Sequence, residues 1–223
     1  MGRTKNSRTR GNPAEVNKMQ LCVCIFALTA VAWGQVPHQH HPPSSAEYAK
    51  VLEDPSRDAW QKPHEVVIAL GLKPTDTVAD IGAGTGYFAR RFAMHASKVY
   101  AVDIDQKLLA IASSNAPANL ETILAAPDDP RLPPRSADLI FFCDVVHHLE
   151  DRPAYYRKLA NVLKPGGRIV VVDFYKKPLP VGPPESTKLS EEEVIAEFQE
   201  AGFGLSKRLN ILPYQYFLFF DRR

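Results

Sequence analysis

Cysteine is scarce in this chain, and its few cysteines form no recognisable pattern. There are three among 223 residues, at Cys22, Cys24 and Cys143. Two lie in one apolar run and the third in a predicted strand, so neither a disulfide framework nor a zinc-ligand spacing is indicated. We predict no metal site.

A marked excess of either charge is also missing. The formal net charge is +2 at pH 7, and much of the basic excess falls in the first eighteen residues. A nucleic-acid surface usually needs a concentrated basic patch, so the composition favours no nucleic-acid partner. The 45% apolar fraction is typical of a soluble globular protein, and the length predicts one domain with an N-terminal appendage.

No apolar run in the sequence reaches the length that a membrane-spanning helix needs. Leu21 to Trp33 is continuous and apolar, but a spanning helix needs about 20 residues. A basic segment precedes the run, and Ala30-Val31-Ala32 places small residues at A-x-A spacing, which is typical of a secretory signal. We therefore predict an exported or membrane-associated protein rather than a cytoplasmic one. A misassigned start, with Met19 as the true first residue, is the alternative.

These features divide the chain into three predicted parts. Residues 1–34 form the basic, signal-like segment, which would associate with a membrane through 19–34 if it stays uncleaved. Residues 35–45 form a Pro/His linker, and 46–223 form the folded domain. His38, His40 and His41 lie in the linker; a solvated spacer is a better interpretation than a metal site.

A turn with three glycines follows the first predicted strand. Val78 to Ile81 predict a buried strand and Thr85 to Met94 a helix, with Gly82, Gly84 and Gly86 between them. Glycine at the first position permits a sharp turn, the second allows close ligand approach, and the third allows close packing of helix and strand. Free N–H groups at the helix start then face whatever lies over the turn.

The residues around this turn favour one class of ligand. Asp80 precedes the first glycine, so a ligand with a cationic end fits better than a pyrophosphate. The dinucleotide pattern G-x-G-x-x-G would require its third glycine at Tyr87. A nicotinamide-dependent oxidoreductase is therefore disfavoured, although an ordinary glycine-rich turn of an α/β domain remains an alternative.

The next two strands supply further acidic residues. Strand 99–102 ends in Asp103, where a carboxylate can bind a ribose diol. Asp105 is the competing candidate, but it fits better as the N-cap of a helix over 106–113. After strand 120–124, Asp128 or Asp129 is placed to accept from an adenine amino group; a plain surface turn is the alternative.

The fourth strand leads into the candidate catalytic residues. Residues 138–146 are apolar on both faces, as in a central parallel strand, and the segment contains Asp144 before His147 and His148. Histidine titrates near neutrality, so His147 is the first candidate for a general base and His148 the second. The alternative is that both cap or pack the end of this strand.

The remaining patterns complete an α/β domain. Strand 168–174, helix 191–201 and strands 206–212 and 215–220 follow in order; the short connection between the last two requires antiparallel pairing. Ahead of the first strand, a broken helical stretch carries four side chains that form either a lid over the ligand or ordinary packing and surface: Tyr48, Arg57, Trp60 and Gln61.

The order of these motifs resembles a known family. VADIGAGTGYFARRFA, VYAVDID, SADLIFFCDVVHHL, LANVLKPGGRIVVVDF and LSEEEVIAEFQEAGF together are similar to the class I S-adenosylmethionine (SAM)-dependent methyltransferases. The closest group is methyltransferase type 11, which includes the ubiquinone/menaquinone C-methyltransferases. The resemblance implies a Rossmann-like, doubly wound seven-stranded sheet of order 3-2-1-4-5-7-6, with strand 7 antiparallel and helices on both faces.

The resemblance also implies SAM as cofactor and a small-molecule methyl acceptor. It places the methionine end of SAM at Asp80 and the glycine turn, the ribose at Asp103, and the methyl donor near Asp144. The predicted cofactor residues are Asp80, Gly82, Ala83, Gly84, Gly86, Tyr87, Asp103, Ile104, Asp128, Asp129 and Asp144. The predicted catalytic residues are His147, His148 and Asp144. A non-catalytic domain that binds SAM or a nucleoside is the alternative function. Export is in tension with a cofactor made in the cytosol.

Overall fold

The computed structural model describes residues 44–114 and 116–223. The predicted signal-like segment and most of the predicted linker lie outside these residues, as do Cys22, Cys24 and the three linker histidines. Ser44 caps the first helix, since its side chain accepts from the N–H of Glu47. In the part of the chain that is described, no helix has the length and apolarity to span a membrane.

Seven strands form one sheet in the order β3-β2-β1-β4-β5-β7-β6. The neighbours from β3 to β5 pair in parallel, and β7 pairs antiparallel with both β5 and β6. The predicted fold and strand order are therefore confirmed. The strands are β1 Thr77–Ile81, β2 Lys98–Asp103, β3 Leu120–Leu124, β4 Ala137–Cys143, β5 Leu163–Phe174, β6 Phe203–Leu209 and β7 Gln215–Arg222.

Helices cover both faces of the sheet. They are α1 Ser45–Leu52, α2 Asp58–Gln61, α3 Pro63–Leu70, α4 Ala89–Phe92, α5 Gln106–Ser113, α6 Arg152–Val162 and α7 Glu191–Glu200, with 3₁₀ turns at Pro55–Arg57, Val146–His148 and Glu185–Thr187. The predicted cap of α5 is present, since Asp105 accepts from backbone N–H groups in its first turn; Asp151 and Ser190 cap α6 and α7 in the same way.

Four predicted elements have a boundary that is wrong by three residues or more; strand five, for example, begins at Leu163 instead of residue 168. The helix expected over 85–94 is reduced to α4, because the glycine turn continues as non-helical turns as far as Phe88. Strand four ends at Cys143, since Asp144 adopts a left-handed φ of 59° that breaks the extended chain. Strand six begins at Phe203 and ends at Leu209, earlier than predicted, because its partner β7 runs on to Arg222.

Two apolar clusters hold the layers together, one on each face of the sheet. Alternation along β1 sends Ala79 and Ile81 to one cluster and Val78 to the other. In the first cluster, Phe198 stacks between Tyr156 and Phe220, with ring centroids 3.9 and 4.2 Å away. The closely packed layers fix the strand ends that carry the polar residues described next.

Candidate cofactor and methyl-transfer site

The glycine turn lies at the carboxyl edge of the parallel strands. Gly82, Gly84 and Gly86 have φ values of 72°, 55° and 85°, a region that side chains with a Cβ rarely adopt. A Cβ on Gly82 would lie 2.3 Å from Cγ2 of Val145, so any larger residue there would clash with the segment after β4. Both the backbone conformation and the contact with Val145 therefore require glycine at position 82.

Asp80, at the end of β1, lies buried beneath this turn. Its side chain is 3% exposed. The backbone N–H of Ala89 donates to the carboxyl group, but Oδ2 has no hydrogen-bond partner within the described residues. Burial raises the pKa of Asp80 to about 8, and the Asp103 carboxylate adds to this effect. A buried acceptor without a partner is costly, and a cationic group arriving above the turn would satisfy it.

Asp103, at the end of β2, connects the glycine turn to the neighbouring strand. Its Oδ2 accepts from the Gly84 N–H at 2.8 Å and its Oδ1 from the Asp105 N–H at 2.9 Å. Burial raises the pKa of Asp103. Asp105 itself caps α5 and accepts from the Ser45 hydroxyl. This capping role agrees with the prediction that Asp103, rather than Asp105, binds the ribose.

An exposed apolar side chain stands beside this carboxylate. Ile104 is 63% exposed, which is unusual for an isoleucine at the end of a buried strand. A flat ring such as adenine would cover it, so its exposure fits the predicted cofactor role.

Asp144, immediately after β4, is held in a strained conformation with φ 59°. The Gln215 side-chain amide donates to its Oδ1 at 2.6 Å, and the Arg57 guanidinium lies 3.9 Å from its Oδ2. Burial and the Asp173 carboxylate raise the pKa of Asp144 to about 7, against the opposing effect of Arg57. Strained non-glycine residues concentrate at functional sites, and Asp144 combines strain with a perturbed carboxyl group.

The segment predicted as either a lid or plain packing lies over the glycine turn. This segment comprises residues 45–61. Leu52 occupies the space above Gly84, since a Cβ on that glycine would lie 2.8 Å from Leu52 Cδ1. The Arg57 guanidinium carbon lies 4.3 Å from the Tyr87 ring centroid, and the Tyr87 hydroxyl donates to Asp58.

The four side chains singled out in this segment have distinct surroundings. Tyr48 lies near two site carboxylates, since burial and Asp144, and to a smaller extent Asp103, raise its pKa. Gln61 is fully buried and donates to Gln215 at 2.9 Å. The Trp60 ring packs 5.6 Å from that of Phe174. Tyr48, Arg57 and Gln61 therefore border the site, while Trp60 packs against the end of β5.

The two candidate bases differ sharply in environment. The His147 side chain is 3% exposed, and its Nδ1 lies 3.0 and 2.9 Å from the two oxygens of Asp173. Burial alone would lower the pKa of His147, but the Asp173 carboxylate outweighs burial and the pKa is raised. His148 is exposed, with its ring centroid 4.2 Å from that of His147. His147 thus has an orienting partner and little access, whereas His148 has access.

The predicted adenine residues lie on the surface after β3. The Asp128 side chain is 81% exposed and pairs with Lys158 at 3.0 Å. Asp129 accepts from the Arg131 N–H at 2.7 Å. Both follow the carboxyl end of a strand adjacent to Asp103, and their contact with adenine stays a prediction.

Sequence reasoning missed two residues of this site. Asp173 lies near the end of β5 just as Asp80, Asp103 and Asp144 lie at their strand ends, so the same pattern would have found it. Gln215, which bridges Gln61 and Asp144, gave no signal, because nothing in a single sequence marks which residue of an antiparallel strand meets this edge.

Comparison with known proteins agrees with this geometry. Residues 79–171 match the methyltransferase domain family of type 11. A crystal structure of a SAM-dependent methyltransferase from Aquifex aeolicus superposes with a TM-score of 0.74 at 26% identity, covering 79% of this chain and 97% of the other. These matches include the glycine turn, Asp103 and Asp144.

Curated relatives are similar over shorter shares of their length. Phosphoethanolamine N-methyltransferase 1 of Arabidopsis thaliana is 31% identical over 121 residues, which are 51% of this chain and 24% of the relative. A probable SAM-dependent methyltransferase of Mycobacterium tuberculosis is 31% identical over 65% of this chain and 55% of its own length. The chain thus spans about a quarter of the first relative and about half of the second.

The Aquifex and Mycobacterium proteins are named as SAM-dependent, and the residues present here fit SAM. The buried Asp80 oxygen, which has no partner in the part of the chain that the structure describes, suits an ammonium group, and Asp103 presents a carboxylate beside the glycine turn. Residues 79–171 therefore match a methyltransferase domain family, and the described residues have the fold of SAM-dependent methyltransferases.

Proposed function

We propose that this protein transfers a methyl group from SAM to a small-molecule acceptor. The observation that carries the proposal is the buried Asp80 oxygen, which has no partner among the described residues and lies under the three-glycine turn. A cation is the group that would stabilise an ionised carboxylate at this depth, and SAM carries an ammonium group at its methionine end.

The residues of the chain position the reactants. Asp80 and the turn hold the methionine end, Asp103 the ribose, and Ile104 one face of the adenine. SAM supplies a methyl group already activated by the sulfonium charge. The protein therefore mainly orients the acceptor and excludes water, and orientation contributes up to about 7–11 kcal/mol.

We propose an amine as the acceptor group. Four carboxylates, Asp80, Asp103, Asp144 and Asp173, lie at the ends of four adjacent parallel strands, and they influence one another's protonation. An acidic surrounding favours a cationic substrate; its ammonium group must lose a proton before the nitrogen attacks the methyl group, and Asp144, His147 or His148 would accept that proton. The N-methyltransferase names among the relatives also support an amine, and they make phosphoethanolamine the first acceptor to test; its phosphate would have to lie away from these carboxylates.

The test is product formation with the full chain. SAM is mixed with phosphoethanolamine, and in a parallel reaction with a phenolic acceptor, and S-adenosylhomocysteine is quantified by mass spectrometry. An Asp80→Asn variant is the matched control, since it keeps the shape of the side chain and removes its charge. We expect S-adenosylhomocysteine to accumulate with the amine and not with the control variant.

Two results would contradict parts of this proposal. Binding of S-adenosylhomocysteine without turnover across an acceptor screen would indicate the alternative, a non-catalytic binding domain. Turnover with the phenol alone would overturn the amine assignment and leave the methyltransferase assignment in place.

We propose further that the protein acts outside the cytoplasm or at a membrane, on the basis of the signal-like residues 1–34. Mass spectrometry of the mature N-terminus tests this proposal. A protein that retains residues 1–34 and fractionates with the cytosol would refute it.

A further inference from the structure

A second polar cleft lies at the amino edge of the sheet, opposite the edge that carries the glycine turn. It encloses about 1350 Å³ between the end of α3, the end of α6 and the start of β5, with β6 and β7 along one side. Five cationic side chains and one carboxylate, Asp221, line it; the cations are Arg135, Lys164, Arg168, Lys207 and Arg222.

Part of this positive charge is explained by the fold. Arg168 donates to the Leu70 carbonyl and Arg222 to the Ala160 carbonyl, at the C-terminal ends of two helices, where cations are favoured. Lys164 pairs with Asp138 at 2.6 Å. These contacts use only one N–H of each guanidinium.

Four of the cations have no carboxylate partner among the described residues, although the Lys207 Nζ lies 5.1 Å from the Phe219 ring centroid. Within residues 44–114 and 116–223, no carboxylate lies at ion-pairing distance from Arg135, Arg168, Lys207 or Arg222. Arg168 Nε is buried without a hydrogen-bond partner in the described chain, and so is the Ser136 hydroxyl beside Arg135. Buried donors are normally satisfied, and each that is not costs about 1–3 kcal/mol.

Arg135 is also held in an unusual conformation. Its φ is 51°, in the left-handed region, and hydrogen bonds from the N–H groups of Arg135 and Ser136 to Asn161 and Val162 fix it there at 2.8 Å. Lys62 and Arg131 have similar φ values, so this conformation by itself does not mark a site; it fixes the position of the side chain. Here it carries the guanidinium that lines the cleft between α6 and β5.

We propose that this cleft binds a small anion that carries two or more phosphate groups. Guanidinium groups match phosphate oxygens in charge and geometry, and the volume and the several cations of the cleft provide room and charge for more than one phosphate. Phe219 is only 5% exposed, so no aromatic face is available for base stacking, which single-stranded nucleic acid would use. The concave shape disfavours a flat lipid surface.

The first measurement is calorimetry of the full chain with pyrophosphate in low salt. The test variant is Arg135→Gln/Lys207→Gln, and the matched control is Lys107→Gln/Arg131→Gln, which removes the same charge from exposed sites elsewhere. We expect one saturable site, at least about tenfold weaker in the test variant and unchanged in the control. Affinity for S-adenosylhomocysteine should not change in the test variant, because the two sites lie at opposite edges.

Additional ligands distinguish an inorganic from a nucleotide source of the phosphate groups, and they define the results that would overturn the proposal. Tripolyphosphate and ATP, compared at equal concentration, distinguish an inorganic from a nucleotide anion, and tight binding of either supports the proposal. No saturable binding of any of the three, or an equal loss in the control variant, would overturn it. Sedimentation of the protein with phosphatidylglycerol vesicles in the absence of pyrophosphate binding would also overturn it and indicate a membrane surface. None of these outcomes depends on methyl transfer.

Discussion

The two edges of the sheet differ in the sign of their charge and in how deeply it is buried. At the carboxyl edge, Asp80 and Asp144 are acidic groups whose pKa values are raised mainly by burial. At the amino edge, the cleft carries cations on long side chains that reach toward solvent. The comparison shows that one sheet can present a desolvated acidic site and an open basic site, because its parallel strands place all their carboxyl ends at one edge and all their amino ends at the other.

The largest expected effect lies at the carboxyl edge, on removal of the buried acid. Asp80→Ala should weaken S-adenosylhomocysteine binding by roughly 100-fold, since about 3 kcal/mol is lost with a charged, desolvated hydrogen bond. Isothermal titration calorimetry measures it. Glu121→Ala, which removes an exposed carboxylate paired with Lys98, is the control; an equal loss there would show that general charge, rather than Asp80, is responsible.

Asp144 should affect turnover more than cofactor binding. Asp144→Asn keeps the side-chain shape and the strained backbone but removes the charge facing Arg57. We expect kcat/KM to fall by about 10–100-fold, with affinity for S-adenosylhomocysteine within about threefold of the parent, because a positioned polar group contributes roughly this much. Steady-state kinetics and calorimetry separate the two. A large change in cofactor affinity with unchanged kcat would contradict the assigned position.

The raised carboxyl pKa values predict an unusual pH dependence of stability without ligand. Asp80 and Asp144 titrate near pH 8 and 7 when folded, but near 3.8 when unfolded, so the folded state binds more protons between these values. The free energy of unfolding should therefore fall as pH rises through this window, by at most about 1.4 kcal/mol per pH unit for each group. Urea denaturation at several pH values measures it.

The Asp80→Asn variant sharpens this prediction. It should lose part of the pH dependence and be more stable than the parent above about pH 8, because no buried carboxylate must then ionise. A variant with the same slope as the parent would show that Asp80 is not the titrating group. Arg57 and Asp103, the charged groups that also influence Asp80, are unchanged in this comparison.

A smaller effect is expected at the histidine pair. Asp173→Asn removes the carboxylate that raises the pKa of His147, so the pKa of His147 should fall. If His147 is the base, the acid limb of the pH–rate profile moves to lower pH with it; if His148 is the base, the limb stays in place. NMR titration of the histidines identifies which ring has shifted. A His147 pKa that does not fall would contradict the ion pair.

The smallest effect on methyl transfer is expected from the amino edge. Arg135→Gln/Lys207→Gln should leave kcat/KM within about twofold and the unfolding free energy within about 0.5 kcal/mol of the parent, as for exposed charges without ion-pair partners. A marked loss of turnover would contradict this comparison, since it would show that cations at the amino edge affect methyl transfer at the carboxyl edge.

The sequence predicted most of the fold because its strands are buried and apolar. The apolar runs at Val78 to Ile81 and at the start of β4 predict buried strands once the glycine turn is placed between the first strand and the helix. The errors fall where tertiary contacts override local pattern. The helix after the turn is short because non-helical turns continue as far as Phe88, and strand four stops where Asp144 turns away from the sheet.

The site residues that could be predicted lie at the carboxyl end of a parallel strand. Asp80, Asp103 and Asp144 occupy such positions, whereas Gln215 reaches the site through pairing of β7 with β5. The identity of the base could not be predicted, because adjacent histidines differ only in their surroundings: His147 faces Asp173, and His148 faces outward.

The measurement that tests the central claim most directly is calorimetric titration of the full chain with S-adenosylhomocysteine in buffers of different ionisation enthalpy. Because Asp80 is protonated at neutral pH in the ligand-free protein and pairs with an ammonium group on binding, we predict one site per chain and release of a proton that is absent in Asp80→Asn. Folded protein that gives no binding heat in any buffer, or binds with the same proton release in Asp80→Asn, would contradict the assignment of Asp80 as the residue that holds the cofactor.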